Sequence, residues 1–264
     1  MIAVHPTSLD EALAAVEEGA VPLGGGTDLM VEVNFGHTRP DNVVGLRRIE
    51  ELTHWEGARI GAGVTWRRVE REGPKAYAEA ARTVGSPQIR NAGTIGGNLG
   101  TASPAGDGHP FLAAVDAGIE LTSRRARRVV PWSEFFVGVK QNSRHPDELI
   151  TAVVLPEHLP AKQAFGKVGV RNAMVIATVC AVVTRDEHGR TTAAFGSVAP
   201  TPIRVPQAEE MISNEAIPST AALAEFQRLV SEEVRPITDH RSTEAYRRHA
   251  AGVLARRLLE RCLR

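Results

Sequence analysis

Asn91-Ala92-Gly93-Thr94-Ile95-Gly96-Gly97-Asn98-Leu99-Gly100-Thr101-Ala102-Ser103-Pro104-Ala105-Gly106-Asp107 is the stretch on which the reading of this chain turns. It lies in a region with seven glycines from Gly85 to Gly108. Glycine costs roughly 0.5–1 kcal/mol in ordered backbone, and the stretch is longer than a tight turn requires. A shorter glycine run, Leu23-Gly24-Gly25-Gly26-Thr27-Asp28-Leu29, lies nearer the N-terminus. Either run alone serves as a turn between strands. Together they expose main-chain N–H groups and admit close approach, which suits a long anionic ligand such as a dinucleotide.

The common nucleotide motifs do not fit. No lysine follows either run at the spacing of a P-loop. Gly24-Gly25-Gly26 lacks the third glycine of the Gly-x-Gly-x-x-Gly fingerprint, and Val31-Glu32-Val33-Asn34-Phe35-Gly36 does not read as the helix that should follow. A different inventory does fit. Gly25 and Gly26 offer amides and Thr27 a hydroxyl, with Thr94, Gly96 and Gly97 doing the same from the other side. Asn98 and Ser103 add neutral hydrogen-bonding groups. Asp107, acceptor-only when ionised, selects hydroxyls over phosphate. Amides for a diphosphate and a carboxylate for a ribose or ribityl chain are what a flavin dinucleotide asks for. An alternative for Asp107 is to cap a helix entering at Phe111.

Composition narrows the class. With 31 basic and 31 acidic residues the formal charge is zero, so nothing draws the whole chain to nucleic acid or membrane. No apolar stretch reaches membrane-spanning length and the N-terminus is not a signal peptide, so a cytoplasmic location is expected. The two cysteines, Cys180 and Cys262, are too few for an iron–sulfur cluster, and the nine histidines show no metal-binding spacing. Arg124-Arg125-Ala126-Arg127-Arg128 reads as a basic, solvated hairpin tip.

Helical and strand signals alternate, which predicts an α/β or α+β fold. Ser8 and Glu11 form a capping box for a helix over 9–18. Further helices are predicted over 75–84, 111–117, 221–234 and 243–263, and strands over 21–23, 43–44, 60–64, 150–155, 174–183 and 192–198. On the last helix Tyr246, Ala250, Val253, Leu254 and Leu258 share one face, expected to be core. Pro156-Glu157-His158-Leu159-Pro160 reads as a linker.

These residues resemble the flavin-binding (medium) subunit of the molybdenum hydroxylases, the family of bacterial xanthine dehydrogenases and aerobic carbon monoxide dehydrogenases. The matching segments are Gly24-Gly25-Gly26-Thr27-Asp28-Leu29, Ile60-Gly61-Ala62-Gly63-Val64-Thr65, Gln88 through Asn98 with Ser103-Pro104-Ala105-Gly106-Asp107, and Asp147-Glu148-Leu149-Ile150-Thr151. Phe165-Gly166-Lys167 with Arg171, Val198-Ala199-Pro200-Thr201-Pro202-Ile203-Arg204 and Ala245-Tyr246-Arg247-Arg248 continue the match almost to the C-terminus. The resemblance implies an α+β fold: a two-subdomain FAD-binding domain of the PCMH/vanillyl-alcohol-oxidase type over 1–156 (subdomains about 1–53 and 54–156), then a small α+β flavoprotein domain over 161–264.

By the same resemblance, Gly24, Gly25, Gly26, Thr27, Asp28 and Leu29 form one FAD loop. Thr94, Gly96, Gly97 and Asn98 hold the pyrophosphate with it. Thr101, Ser103 and Asp107 contact the ribityl or ribose region. Ile150, flanked by Leu149 and Thr151, borders the isoalloxazine, and Lys167 approaches it. Molybdopterin and 2Fe-2S clusters are expected on a large and a small partner subunit, with electrons passing through the flavin to NAD or oxygen. A self-sufficient FAD-dependent reductase or oxidase on the same fold is the alternative. It would need its own base or cation cluster, for which Arg90, His109, Lys140 and Lys167 are the candidates. His109, where many relatives carry a small or apolar residue, is expected to be a partly exposed loop histidine; closer to the flavin, its charge change near neutral pH would alter local electrostatics.

Overall fold

A computed structural model describes residues 1–264. The chain begins with a small parallel sheet made of β1 (Ile2–Val4), β2 (Val21–Leu23) and β3 (Asn42–Gly45), in the order β1-β3-β2. Between the strands run α1 (Leu9–Glu17) and α2 (Leu29–Asn34). The Ser8 hydroxyl accepts the Glu11 N–H at 3.3 Å, and the Glu11 carboxylate reaches back to the Thr7 N–H at 3.0 Å. Gly19, at φ +91°, ends the helix as expected. Ala12, Leu13 and Val16 of α1 pack with Val44, Ile49 and Leu52 in a core of their own.

The middle of the chain builds on a second sheet. Its elements are β4 (Trp55–Glu56), β5 (Arg59–Gly61), α3 (Trp66–Glu72), α4 (Lys75–Thr83), α5 (Pro87–Ala92), α6 (Ile95–Thr101), α7 (His109–Ala114), β6 (Gly118–Thr122), β7 (Arg127–Pro131), α8 (Trp132–Phe135), a ribbon of β8 (Phe136–Gly138) and β9 (Gln141–Asn142), and β10 (Leu149–Val154). The five sheet strands lie in the order β4-β5-β10-β6-β7, so β10, last in sequence, is central. The Arg124–Arg125 tip joining β6 to β7 does not extend freely. Both guanidiniums bond Glu17 of α1, at 3.3 and 3.1 Å, tying the first unit to the second.

Residues 91–107, expected to be loop, contain α6. Thr94 is its cap, the hydroxyl accepting from the Gly97 N–H at 3.0 Å. Ile95 and Leu99, one turn apart, are buried. A side chain at Gly96 would lie 2.6 Å from the Ala62 Cβ, so glycine there is a packing requirement. Cap and packing outweigh the poor helix propensity of three glycines. The segment after Asp28 also turns out helical, as α2, although none of its residues is buried.

The C-terminal unit is an antiparallel sheet of β11 (Lys162–Val168), β12 (Val179–Arg185), β13 (Thr191–Gly196) and β14 (Ile203–Arg204), in that order. α9 (Pro206–Ser213), α10 (Thr220–Glu233) and α11 (Glu244–Cys262) cover one face. The other face packs on α4 and α7 of the middle unit. Alternate residues serve the two cores: Phe165, Cys180, Val182 and Ala194 face the middle unit, while Ala164, Val179, Ala181, Val183 and Phe195 face the helices. Every residue of β12 is buried, which explains its uninterrupted apolar run. The strand starts at Val179 rather than 174; Met174 is exposed, at φ +50°. Cys180 and Cys262 belong to opposite cores, so they share no site. No helix is long and apolar enough to cross a membrane.

The expected core stripe on α11 holds at Ala250 and Leu258, which are buried, and at Leu254, which packs against the same core, whereas Tyr246 is half exposed; Ala251, Ala255, Leu259 and Cys262 complete the buried side. Phe135 of α8 and Phe136 of β8 are also core.

Candidate functional site

The two glycine segments face one another. A Cβ on Gly25 would fall 1.9 Å from the Ala92 carbonyl oxygen, and one on Gly24 would fall 2.9 Å from Thr94 Oγ1. Thr27 Oγ1 would lie 3.2 Å from a Cβ on Gly93. Asp28 accepts a hydrogen bond from the Thr101 hydroxyl, fastening the first segment to the end of α6. Backbone contact this close is the reason glycine occupies Gly24 and Gly25.

The six amides of residues 24–29 donate to no protein group. They form an unpaired donor row on half-exposed backbone, with Gly26 at φ +72°. The opposing segment differs from expectation. The Gly96 N–H is bonded to the Ala62 carbonyl at 2.8 Å and the Gly97 N–H to Thr94 Oγ1 at 3.0 Å, so α6 closes its own donors. What α6 presents is bare backbone: Gly97 and Gly100 are exposed one turn apart. A side chain at Gly100 would meet nothing nearer than Ile150 Cδ1 at 3.9 Å. Packing does not demand glycine there, and in a helix it costs about 1 kcal/mol relative to alanine. Close approach of a ligand is the physical reason that is left. Asn98 Oδ1 and Asp107 Oδ1 are buried without a hydrogen-bond partner, which also fits a ligand with hydroxyl or amide donors. Donor row, bare helix face and orphaned acceptors together fit a flavin dinucleotide.

Ile150 lies on β10 beside Gly100. Leu149 and Thr151 are fully enclosed, Thr151 bonding Thr122 and Glu120. Ser103 Oγ accepts from the Ala105 N–H at 3.3 Å. Asp107 and Lys167 meet each other: Lys167 Nζ lies 2.5 Å from Asp107 Oδ2, with the Thr83 hydroxyl donating to the same oxygen at 2.9 Å. Burial pushes the Asp107 carboxyl up from the usual carboxylate range, against the opposing pull of Lys167 and Thr83. Asp107 does not cap α7, which has no side-chain cap.

His109 is buried, 1% exposed, in the first turn of α7, and its ring packs 4.7 Å from that of Phe136. Its Nδ1 donates to the Ser103 carbonyl at 3.1 Å. Burial pushes its pKa down to about 4, so the expected charge change near neutral pH does not occur. The other candidate cations are also engaged, Arg90 by Glu70 at 3.1 Å and Lys140 by Glu32 at 2.9 Å. Gly100 and Thr83 were not singled out from the sequence. Gly100 follows from Gly97 by helical phase once α6 is known; no local signal marks Thr83.

Comparison with known proteins agrees. Residues 2–158 match the model of the FAD binding domain in molybdopterin dehydrogenase, and residues 164–262 match the CO dehydrogenase flavoprotein C-terminal domain. The chain is 34% identical to the nicotinate dehydrogenase FAD-subunit of Eubacterium barkeri over 78% of its length and 77% of that protein's. It is 30% identical to the xanthine dehydrogenase FAD-binding subunit of Escherichia coli O157:H7, over 90% and 86%. Among solved structures, carbon monoxide dehydrogenase from Hydrogenophaga pseudoflava, in a form lacking the Mo-pyranopterin moiety of its molybdenum cofactor, superposes with a TM-score of 0.91 at 27% identity over 99% of this chain and 96% of that one. An α+β chain with an FAD-binding domain followed by a flavoprotein C-terminal domain, it belongs to the family of FAD-binding medium subunits of molybdenum hydroxylase-type dehydrogenases.

Proposed function

We propose that this chain is the FAD-binding electron-transfer subunit of a cytoplasmic molybdenum hydroxylase complex. A large subunit would hold molybdopterin and a small subunit the 2Fe-2S clusters, and NAD or oxygen would accept the electrons. The observation that carries the reading is the row of six unpaired amides over residues 24–29, set against the bare glycine face of α6.

FAD, when bound, supplies electron exchange with both one-electron clusters and a two-electron acceptor. The residues of this chain bind and orient it. The amides of Gly24, Gly25, Gly26, Thr27, Asp28 and Leu29 would take the diphosphate, with Thr94, Gly96, Gly97 and Asn98 forming the opposing wall. Thr101, Ser103 and Asp107 would serve the polyol, and Ile150 would border the ring. Lys167, held by Asp107, brings the C-terminal domain (161–264) against the flavin domain (1–156). No second reading is favoured: Arg90, His109, Lys140 and Lys167 are each engaged or buried.

Purification of the full chain tests this. Flavin absorbance that survives gel filtration, or returns on incubation with FAD, is expected, and Gly100→Val should abolish it while the far-UV spectrum is kept. A colourless chain that takes up no FAD sinks the reading.

A further inference from the structure

A groove of about 200 Å³ runs along the outer side of α11, floored by Val168, Ala250, Val253 and Leu254 and walled by Tyr246, His249 and Arg257. We infer that this groove docks a segment of a partner subunit that carries apolar side chains flanked by carboxylates. The inference rests on the reading of this chain as one subunit of a hydroxylase complex.

α11 packs on the sheet through its buried side, and at the margin of that side Tyr246, Val253 and Leu254 are left partly open to the groove. The β11–β12 connection begins just beyond Val168, a groove residue, and ends at Thr178, whose carbonyl accepts from Arg247 of α11 at 2.8 Å. Along it Val170 is 75% exposed, and Met174 and Ile176 are more than half exposed. An apolar groove with a polar rim marks an interaction site, where singly scattered exposed residues do not.

Charge selects the partner. Arg257 and His249 make no ion pair or hydrogen bond, and Arg171 donates only to the carbonyls of Ala173 and Met174. The carboxylates of α11 are already engaged, Glu244 by Arg248 and Glu260 by Arg256. No carboxylate lines the groove, so the Arg257 charge there and the Arg171 charge on the adjoining connection are uncompensated. A second copy of this chain would bring the same cations against it, and like charges facing each other disfavour association. An apolar floor does not suit a nucleic-acid backbone. A partner segment with carboxylates beside apolar residues satisfies both features.

The test uses the complex purified from cells carrying all its subunits. Arg171→Glu with Arg257→Glu, and separately Val253→Asp, are compared with wild type by gel filtration with subunit quantitation across a salt series. FAD content and far-UV spectrum serve as controls. The wild-type complex should loosen as salt rises. Both variants should lose partner subunit roughly tenfold more readily while retaining FAD. Complexes that stay intact in both variants overturn the inference and leave the FAD reading standing. So does self-association of the isolated chain abolished by the same substitutions, which assigns the groove to a second copy. A flavin-free wild-type preparation with no partner removes the functional reading and the inference together.

Discussion

Arg261 Nη2 lies 2.7 Å from Glu79 Oε1, joining the last turn of α11 to α4 across 182 residues of chain. The pair closes over the free edge of β11. Glu79 Oε2 accepts the Phe165 N–H at 2.8 Å, and Arg261 Nη1 donates to the Phe165 carbonyl at 2.9 Å. An edge strand with open donors and acceptors invites pairing with another chain, and here two side chains occupy them. The ion pair is half exposed and contributes little by itself. Its value lies in the backbone groups it satisfies. Glu79→Ala should therefore lower unfolding stability by about 1–2 kcal/mol, read from the urea midpoint, while Glu79→Gln, which keeps an acceptor, restores most of it. Equal losses in both variants would mean that charge, not backbone satisfaction, is what matters.

Gly25 and Gly100 should respond oppositely to alanine. A Cβ on Gly25 would enter the Ala92 carbonyl, so Gly25→Ala must push the two segments apart and should abolish folding or FAD uptake. A Cβ on Gly100 would meet only Ile150 Cδ1, at 3.9 Å, an ordinary van der Waals contact. Gly100→Ala should raise the thermal midpoint of the FAD-free chain, by the equivalent of about 0.5–1 kcal/mol, yet weaken FAD binding in titration. A variant that is both more stable and binds FAD as before would show that the glycine face of α6 is not a ligand surface.

Much of this was legible beforehand because local signals and tertiary structure agree. Ser8 and Gly19 bracket α1, Pro74 and Gly85 bracket α4, and the buried run of β12 with the Asp186-Glu187-His188-Gly189 turn gives the C-terminal hairpin. The pairing of residues 24–29 with α6 was also foreseen, although the conformation of α6 was not. Its glycines hide a helix whose stability comes from the Thr94 cap and from Ile95 and Leu99 in the core, which are visible only after packing. α3 and α5 escaped notice for a related reason: each is a turn or two long and set by a Thr65 or Ser86 cap. The burial of His109 and the contact of Lys167 with Asp107 join residues whose neighbours in sequence say nothing of one another.

Burial of His109 makes stability depend on pH. Its folded pKa, about 4, lies below the ordinary imidazole value of 6.5. Between these values the unfolded chain binds the proton and the folded chain does not. Stability from this group is thus full above about pH 6.5 and falls as pH drops toward 4, by about 3 kcal/mol over the window. Asp107, raised by burial, works in the opposite direction from its own ordinary value upward, so the comparison must be with a His109 variant. His109→Gln should flatten the urea-stability profile between pH 6.5 and pH 4.5 relative to wild type. Identical slopes would mean that His109 takes up its proton in the folded chain.

The ion pair of Lys167 and Asp107 is nearly enclosed, its side chains 10% and 6% exposed. Two charges withdrawn from water offset each other only while both are present. Lys167→Met leaves the Asp107 carboxylate buried opposite an apolar chain, with only the Thr83 hydroxyl to hold it. That change should cost about 3–5 kcal/mol, whereas adding Asp107→Asn to it should recover most of the loss, since the amide is neutral and still bonds Thr83. The recovery separates a structural clamp from a flavin contact. FAD affinity should fall in the single variant through loosening of the two domains. If it returns with stability in the double variant, the pair acts by holding the domains together. If stability returns and affinity does not, one of the two side chains touches the flavin itself.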